Sequence, residues 1–132
     1  MKKIFLIPQI LLILLACNNK EPFDPPYDNI GGFVIGKENC NIDTSKDYWL
    51  IDFTVYNNFP QIGDTLILNG VIYTNVLKVK GLVERLRQVG MRVSIDYDTV
   101  TTSAVLTSDC NVASPVTYAL KELFIINQFE IR

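Results

Sequence analysis

Apolar residues recur at every second position over much of the chain from Gly31 onward, and this period constrains the fold more than any other feature. Side chains of a β-strand alternate between the two faces of a sheet, so a period of two predicts strands with one buried face. The clearest run covers residues 48–56, where we expect four side chains to face the core: Trp49, Ile51, Phe53 and Val55. The pattern therefore predicts a mainly β protein.

Residues 82–89 break this period. The apolar residues of this segment have the spacing of one face of a helix: Leu82, Val83, Leu86 and Val89. Gly90 follows them and is a natural helix terminator. Strand-like alternation surrounds this segment on both sides. Before it, Lys78 and Lys80 are predicted to lie on a solvent-exposed strand face. After it, near the end of the chain, Phe129 and Ile131 are expected to face the core.

Strands, one short helix and then further strands form a layout that resembles an OB-fold. The resemblance covers about 100 residues, carries no diagnostic motif, and implies a small five-stranded barrel with one short helix. A β-sandwich is the alternative. The single β-rich domain is predicted to occupy residues 31–132.

The first 16 residues differ in composition from the rest. Lys2 and Lys3 precede a short apolar run from Ile4 to Ala16, which is interrupted by Pro8 and Gln9. A membrane-spanning helix needs roughly 20 apolar residues, so this run is too short to span. A positive start followed by a short apolar run is typical of a removable export signal.

The sequence Leu14-Leu15-Ala16-Cys17 resembles the lipobox of bacterial lipoproteins. This resemblance implies that residues 1–16 are a signal peptide and that Cys17 carries lipid. It also implies attachment to a membrane of the cell envelope. Asn18 is not the aspartate that resembles an inner-membrane retention signal, which favours the outer membrane. Residues 17–30 are polar and rich in proline, and are predicted to form a flexible tether.

Removal of residues 1–16 takes Lys2 and Lys3 away and leaves ten basic against 14 acidic side chains, a net charge of −4. Nucleic-acid binding calls for a basic face, so nucleic acid is not an expected partner. An acidic chain is not attracted to anionic lipid either. Membrane attachment is therefore expected to depend on the lipid at Cys17.

Cys40 and Cys110 are the two other cysteines of the chain. In an oxidising compartment such a pair is most simply interpreted as one disulfide. Closing so long a loop stabilises a protein by roughly 4 kcal/mol in the chain-entropy model. Two buried thiols and a metal pair are the alternatives. The chain has no histidine, and two cysteines make a poor zinc site.

The sequence shows no catalytic constellation. Without histidine there is no Ser-His or Cys-His pair, and no phosphate-binding or calcium-binding motif is present. Asp96 and Asp98 are predicted to lie on the same face of a strand. A calcium site needs more oxygen ligands than these two carboxylates supply, so no metal or cofactor is predicted. Asp64-Thr65 and Asp98-Thr99 are similar to a bacterial O-glycosylation pattern that arises often by chance.

Two groups of residues are candidates for contact with a ligand or partner. The first is the aromatic tip at Tyr56 and Phe59, although Phe59 is expected to fold onto the core. The second is a basic group near the predicted helix, for which salt bridging is the expected use: Lys78, Lys80, Arg85, Arg87 and Arg92.

These features favour a non-enzymatic lipoprotein that binds an unknown protein or glycan in the cell envelope. A structural accessory subunit of an envelope complex is the first alternative. The second is a hydrolase that uses two carboxylates, such as Asp52 with Asp96, and it requires the two groups to converge in one pocket.

Overall fold

A computed structural model describes residues 28–54, 60–98 and 105–132. These residues form eight strands that hydrogen-bond into one sheet. The strands are β1 (Asp28–Lys37), β2 (Trp49–Asp52), β3 (Asp64–Leu68), β4 (Val71–Val79), β5 (Arg92–Tyr97), β6 (Val105–Leu106), β7 (Leu120–Leu123) and β8 (Ile125–Glu130). The mainly β class is confirmed.

The sheet is mixed and open. Its strand order is β6-β7-β4-β2-β1-β5-β8, and β3 pairs with β4 beside this path. The β4–β7 pair is parallel, whereas the other paired strands are antiparallel. Eight strands rather than five are present in the described residues, so a two-layer sandwich describes the fold as well as a barrel does.

The larger core lies on one face of the sheet. Trp49, Ile51 and Phe53 are buried there, as their alternation predicts. Leu82 and Leu86, from the connection between β4 and β5, cover this face. The other members are Ile30, Val34, Leu77, Val79, Val93, Ile95, Tyr97 and Leu123.

A smaller core occupies the opposite face and contains Leu50, Leu66, Val76 and Leu120. Leu68, near the β3–β4 turn, packs against this cluster. A Cβ atom built on Gly36 of β1 would lie 3.2 Å from Leu68 Cδ2. The β3–β4 hairpin therefore folds back over β1 and β2, which gives the molecule its second layer.

A bulge in β4 allows this fold-back. Asp64 pairs with Val76 but Leu66 pairs with Tyr73, so two steps along β3 correspond to three along β4. An extra residue moves the following side chains to the other face. Tyr73 therefore packs on the smaller core, whereas Leu77 belongs to the larger one.

The predicted helix at residues 82–89 is wrong. The segment contains one 3₁₀ turn at Glu84–Leu86, and Val83 and Val89 are exposed. No side chain caps the turn at Val83, and Gly81 and Gly90 both have positive φ. An isolated helix of this length is marginal, so the packing of Leu82 and Leu86 determines the local structure.

Two boundaries also differ from expectation. β1 begins at Asp28, so the last three residues assigned to the tether belong to the sheet. The C-terminal apolar run forms two strands, β7 and β8, with Phe124 between them. Phe129 is exposed rather than buried because it pairs with Ser94 on the face of β5 opposite the larger core.

We predict that Gly32→Ala lowers the free energy of unfolding by roughly 1–3 kcal/mol, as overpacking does. The added Cβ would lie 2.8 Å from the Asp52 carbonyl oxygen and 2.7 Å from Ile51 Cγ2. Urea denaturation measures the change. Gly36→Ala is the matched control on the same strand, because its nearest neighbour is the end of the flexible Leu68 side chain. Equal losses in the two variants would contradict this account.

Candidate functional site

A polar cleft of about 240 Å³ lies beside the disulfide. Its walls come from the β1–β2 connection, the end of β4 and the segment that follows β6. The cleft is lined by Cys40, Asn41, Lys46, Tyr48, Lys80, Leu106, Thr107, Ser108 and Asp109. Cationic, aromatic and hydroxyl-bearing side chains therefore share one small opening.

The Cys40–Cys110 disulfide is present, as predicted, and it joins residues 70 positions apart. It connects the β1–β2 connection to the loop after β6. Buried Asp47 orders the Cys40 side of this link: its Oδ1 accepts hydrogen bonds from Cys40 N at 3.1 Å and Asn41 N at 2.8 Å. On the other side, Asn111 N donates to Cys40 O at 2.9 Å. One wall of the cleft is thus fixed by covalent and hydrogen bonds.

Lys78 lies behind this wall and is fully buried, which corrects the prediction of a solvent-exposed face. Strand β4 is covered on both faces at this point. Lys78 Nζ lies 3.4 Å from Glu38 Oε1, and Glu38 is equally buried. A buried ion pair persists only when further hydrogen bonds satisfy both groups.

Those further bonds all come from residues 106–118. Lys78 Nζ donates to Leu106 O at 2.8 Å, Ser108 Oγ at 3.0 Å and Tyr118 O at 3.1 Å. Glu38 accepts from Ser108 Oγ at 2.6 Å and Tyr118 N at 2.9 Å. The ion pair therefore holds the loop that carries Cys110 against β1 and β4.

Ser108 and Lys78 have the spacing of a nucleophile and its base, but their partners oppose that chemistry. Two backbone carbonyl oxygens and a carboxylate surround Nζ, and these groups accept hydrogen bonds without donating. The Ser108 hydroxyl donates its hydrogen to Glu38 Oε2 and accepts one from Lys78 Nζ, so its proton does not point at the amine. A general base must be able to accept that proton. The cluster is accordingly a structural lysine site.

Tyr48 connects the buried cluster to the cleft. Its ring lies 4.7 Å from Lys78 Nζ and 5.5 Å from Lys80 Nζ, within cation–π range. Burial raises the pKa of Tyr48 to about 12, with further contributions from the negative charge of Glu122, a hydrogen bond to it, and the charge of Glu38. Tyr48 therefore stays neutral in the cleft at physiological pH.

The structure separates the predicted basic group. Lys80 lies at the cleft and Lys78 beneath it, but Arg85 is exposed on the 3₁₀ turn. Arg92 begins β5, which is three strands from β4 in the sheet order. Tyr56 and Phe59 lie outside the described residues. Of the predicted contact residues that are described, only Lys80 lines the cleft.

The paired-carboxylate hypothesis is not supported by the register. Asp52 is the cross-strand partner of Phe33, and Asp96 is the partner of Asn29. The two aspartates are therefore separated by four residues along the strand direction and by two strands across the sheet. Standard strand dimensions place their Cα atoms roughly 16 Å apart. Glycosidase carboxyl groups are roughly 5–9.5 Å apart, so these two do not converge.

Asp96 instead accepts hydrogen bonds on both oxygens, from Asn29 Nδ2 at 2.6 Å and Asn127 Nδ2 at 3.2 Å. No group of three potential metal ligands occurs within residues 28–54, 60–98 and 105–132. Asp64 of the first glycosylation-like pattern contacts Lys121 through its carboxylate, and Thr65 is exposed. Thr99 lies outside the described residues, as does Cys17.

The sequence did not single out Glu38, Tyr48 or Ser108, because their side chains meet Lys78 and Tyr118 through contacts 30 to 80 residues apart. One local signal exists. Lys78 follows 13 consecutive uncharged residues, 65–77, and is flanked by Leu77 and Val79. A single charge within an apolar strand indicates a buried and paired cation.

Comparison with known proteins gives no family assignment: no protein-family model, no curated protein and no solved structure matches the chain. In the part of the chain that is described, no helix has the length and apolar character needed to cross a membrane. The functional argument therefore depends on the chemistry of the residues themselves.

We predict that Lys78→Met lowers the free energy of unfolding by about 3–5 kcal/mol, because it leaves the Glu38 carboxylate buried and unpaired. Denaturant unfolding under oxidising conditions measures the loss. Lys46→Met is the control, since its pair with Asp43 at 3.6 Å is exposed and should contribute below about 1 kcal/mol. A loss for Lys78→Met no larger than the control would contradict a structural role.

Tyr48 should ionise after an ordinary tyrosine in an alkaline titration. Its raised pKa stabilises the native state fully below pH 10, and this contribution is lost as the pH rises from 10 to about 12. Tyrosinate absorbance measures the ionisation. Burial also raises the pKa of Tyr97, so Tyr48→Phe should reduce the late component by one tyrosine and leave the share of Tyr97. Glu122→Gln should move the Tyr48 share toward lower pH. A complete titration of all tyrosines near pH 10 would contradict this prediction.

Proposed function

We propose that this protein is a lipid-anchored binding module of the cell envelope and that it is not an enzyme. The observation that carries the proposal is the Leu14-Leu15-Ala16-Cys17 sequence behind a short apolar run. Lipid on Cys17 would attach the chain to a membrane, and Asn18 favours the outer membrane. Eleven residue steps separate Cys17 from Asp28, so the domain would stay within roughly 40 Å of the lipid.

The Cys40–Cys110 disulfide supports this location. Disulfides persist in oxidising compartments outside the cytoplasm and are rare where thiols are kept reduced. This bond also forms part of the cleft wall, so oxidation would complete both the fold and the opening. An oxidising compartment would thus support both the stability of the fold and the binding cleft.

The cleft supports a binding role more than a catalytic one. Tyr48, Lys80 and Thr107 line it with aromatic, cationic and hydroxyl groups, which suit a small polar ligand or a polar side chain of a partner. The Ser108 hydroxyl donates a hydrogen bond to Glu38, and the Lys78 side chain donates hydrogen bonds to two backbone carbonyl oxygens. Neither group is arranged as an activated nucleophile.

An accessory subunit of an envelope complex is the second candidate. On the outer side of the β3–β4 hairpin, Ile67 and Ile72 are directly opposite each other and are 66% and 65% exposed. An exposed apolar pair on a hairpin is suited to contact with another protein. This role would need no small ligand.

Metabolic labelling with palmitate tests the anchor. We expect label on the wild-type protein in bacterial cells and none on Cys17→Ala, because that variant lacks the acylated thiol. The Cys40→Ala/Cys110→Ala double variant is the matched control and should keep its label. Labelling that persists in Cys17→Ala would refute anchoring through this residue.

Crosslinking of the same cells distinguishes the two roles. A stoichiometric protein partner that is lost with Ile67→Asn/Ile72→Asn would favour the accessory subunit. A monomeric protein that retains a small polar molecule would favour the binding module.

A further inference from the structure

We propose that a second surface, formed by β1, β5 and β8, binds a neutral oligosaccharide. The surface, here called the polar face, consists of Asn29, Phe33, Ser94, Asp96, Asn127 and Phe129. It lies apart from the cleft at the disulfide. The proposal shares a binding role with the proposed function but does not depend on lipid at Cys17.

Strand register brings these side chains together. Asn127, Asp96 and Asn29 are successive cross-strand partners in β8, β5 and β1. The next row on the same face contains Phe129 and Ser94, which are also partners. Residues i and i+2 of a strand share a face, so both rows point away from the larger core. Phe33 follows in the third row, opposite Arg92.

The centre of the polar face is a connected hydrogen-bond network. Asn29 Nδ2 lies 2.6 Å from Asp96 Oδ1 and 2.9 Å from Ser94 Oγ. Asn127 Nδ2 donates to the other oxygen of Asp96 at 3.2 Å. Asp96 is buried under the two amides, while Asn29 and Asn127 are themselves exposed. The network therefore holds two exposed amides in fixed positions, which lowers the entropic cost of binding.

Two exposed aromatic rings lie beside this network, in the rows that follow it along the strands. Phe129 is 52% exposed and Phe33 is 37% exposed. They are two strands and two residues apart, which corresponds to about 12 Å between their Cα atoms. Phenylalanine has no polar atom that calls for exposure, so two exposed rings beside ordered amides indicate a contact surface. Their faces can stack on the C–H groups of sugar rings, while the amides bind hydroxyls.

The charges on this surface identify the ligand class. Phe33 is the cross-strand partner of both Asp52 and Arg92, so the face carries the carboxylates of Asp52 and Asp96 and one guanidinium. These groups sum to a charge of −1, which does not favour an anionic ligand. Both Asp96 oxygens already accept amide hydrogens, so the pair does not offer a cation site. A neutral ligand rich in hydroxyl groups matches the exposed amides and aromatic rings.

Titration of the full chain with maltohexaose, cellohexaose, laminarihexaose and mannohexaose tests the proposal. The protein is held in a detergent without a sugar headgroup, and binding is followed by calorimetry and by amide chemical shifts. We expect at least one of these oligosaccharides to bind and to shift the amides of Ser94 and Asn127. Phe129→Ala and Phe33→Ala should each weaken that binding about tenfold. Val89→Ala, exposed elsewhere, and Lys80→Ala, in the cleft, should leave it unchanged.

Asn127→Leu provides a variant that keeps the size of the side chain and removes an exposed amide. It should also weaken binding, with thermal unfolding confirming that the variant is folded. Absence of binding by all four sugars would overturn the proposal, as would shifts confined to cleft residues such as Thr107. Shifts at the polar face that follow protein concentration alone would identify a second copy as the occupant and would also overturn it. Sugar binding by a chain without lipid would uphold the polar face while the anchoring proposal fails.

Discussion

The buried ammonium group of Lys78 holds together parts of the chain that are far apart in sequence. It contacts Glu38, which follows β1, and the carbonyl oxygens of Leu106 in β6 and Tyr118 before β7. The loop that contains Cys110 has few buried apolar side chains of its own. Its position therefore depends on this polar cluster and on the disulfide, because hydrophobic burial alone would not fix it.

The β4 bulge is the second element on which the architecture depends. Buried Asn75 accepts hydrogen bonds at its Oδ1 from Ile62 N at 3.1 Å and Gly63 N at 2.6 Å, and its Nδ2 donates to Pro60 O at 3.0 Å. One side chain at the bulge thus satisfies backbone groups of the segment that leads into β3. The bend at this residue allows the β3–β4 hairpin to cover β1 and β2. Without it, the smaller core would be exposed.

Alternation correctly placed Trp49, Ile51 and Phe53 on one buried face. It missed that Leu50 and Asp52, on the opposite face of β2, are buried as well, because the second layer covers that face. The same reasoning failed for Lys78, since the bulge and the second layer bury the face that alternation assigns to solvent. It failed for Phe129 because register with β5 decides which face of β8 is covered. The cleft was predictable only at Lys80 and the two cysteines. Glu38, Tyr48 and Ser108 come together through tertiary contacts that no local pattern encodes.

The sequence by itself determined the mainly β class and a cysteine pair suited to a disulfide, and from its first residues it predicts export with lipid at Cys17. Periodicity, residue counts and short motifs are local properties, so they can be recognised in the sequence without a structure. Only the tertiary structure decided which faces are buried, that Lys78 is an internal cation, and that Phe33 and Phe129 lie beside an amide network. Register, bulges and layer packing are cooperative, because each depends on partners distant in sequence.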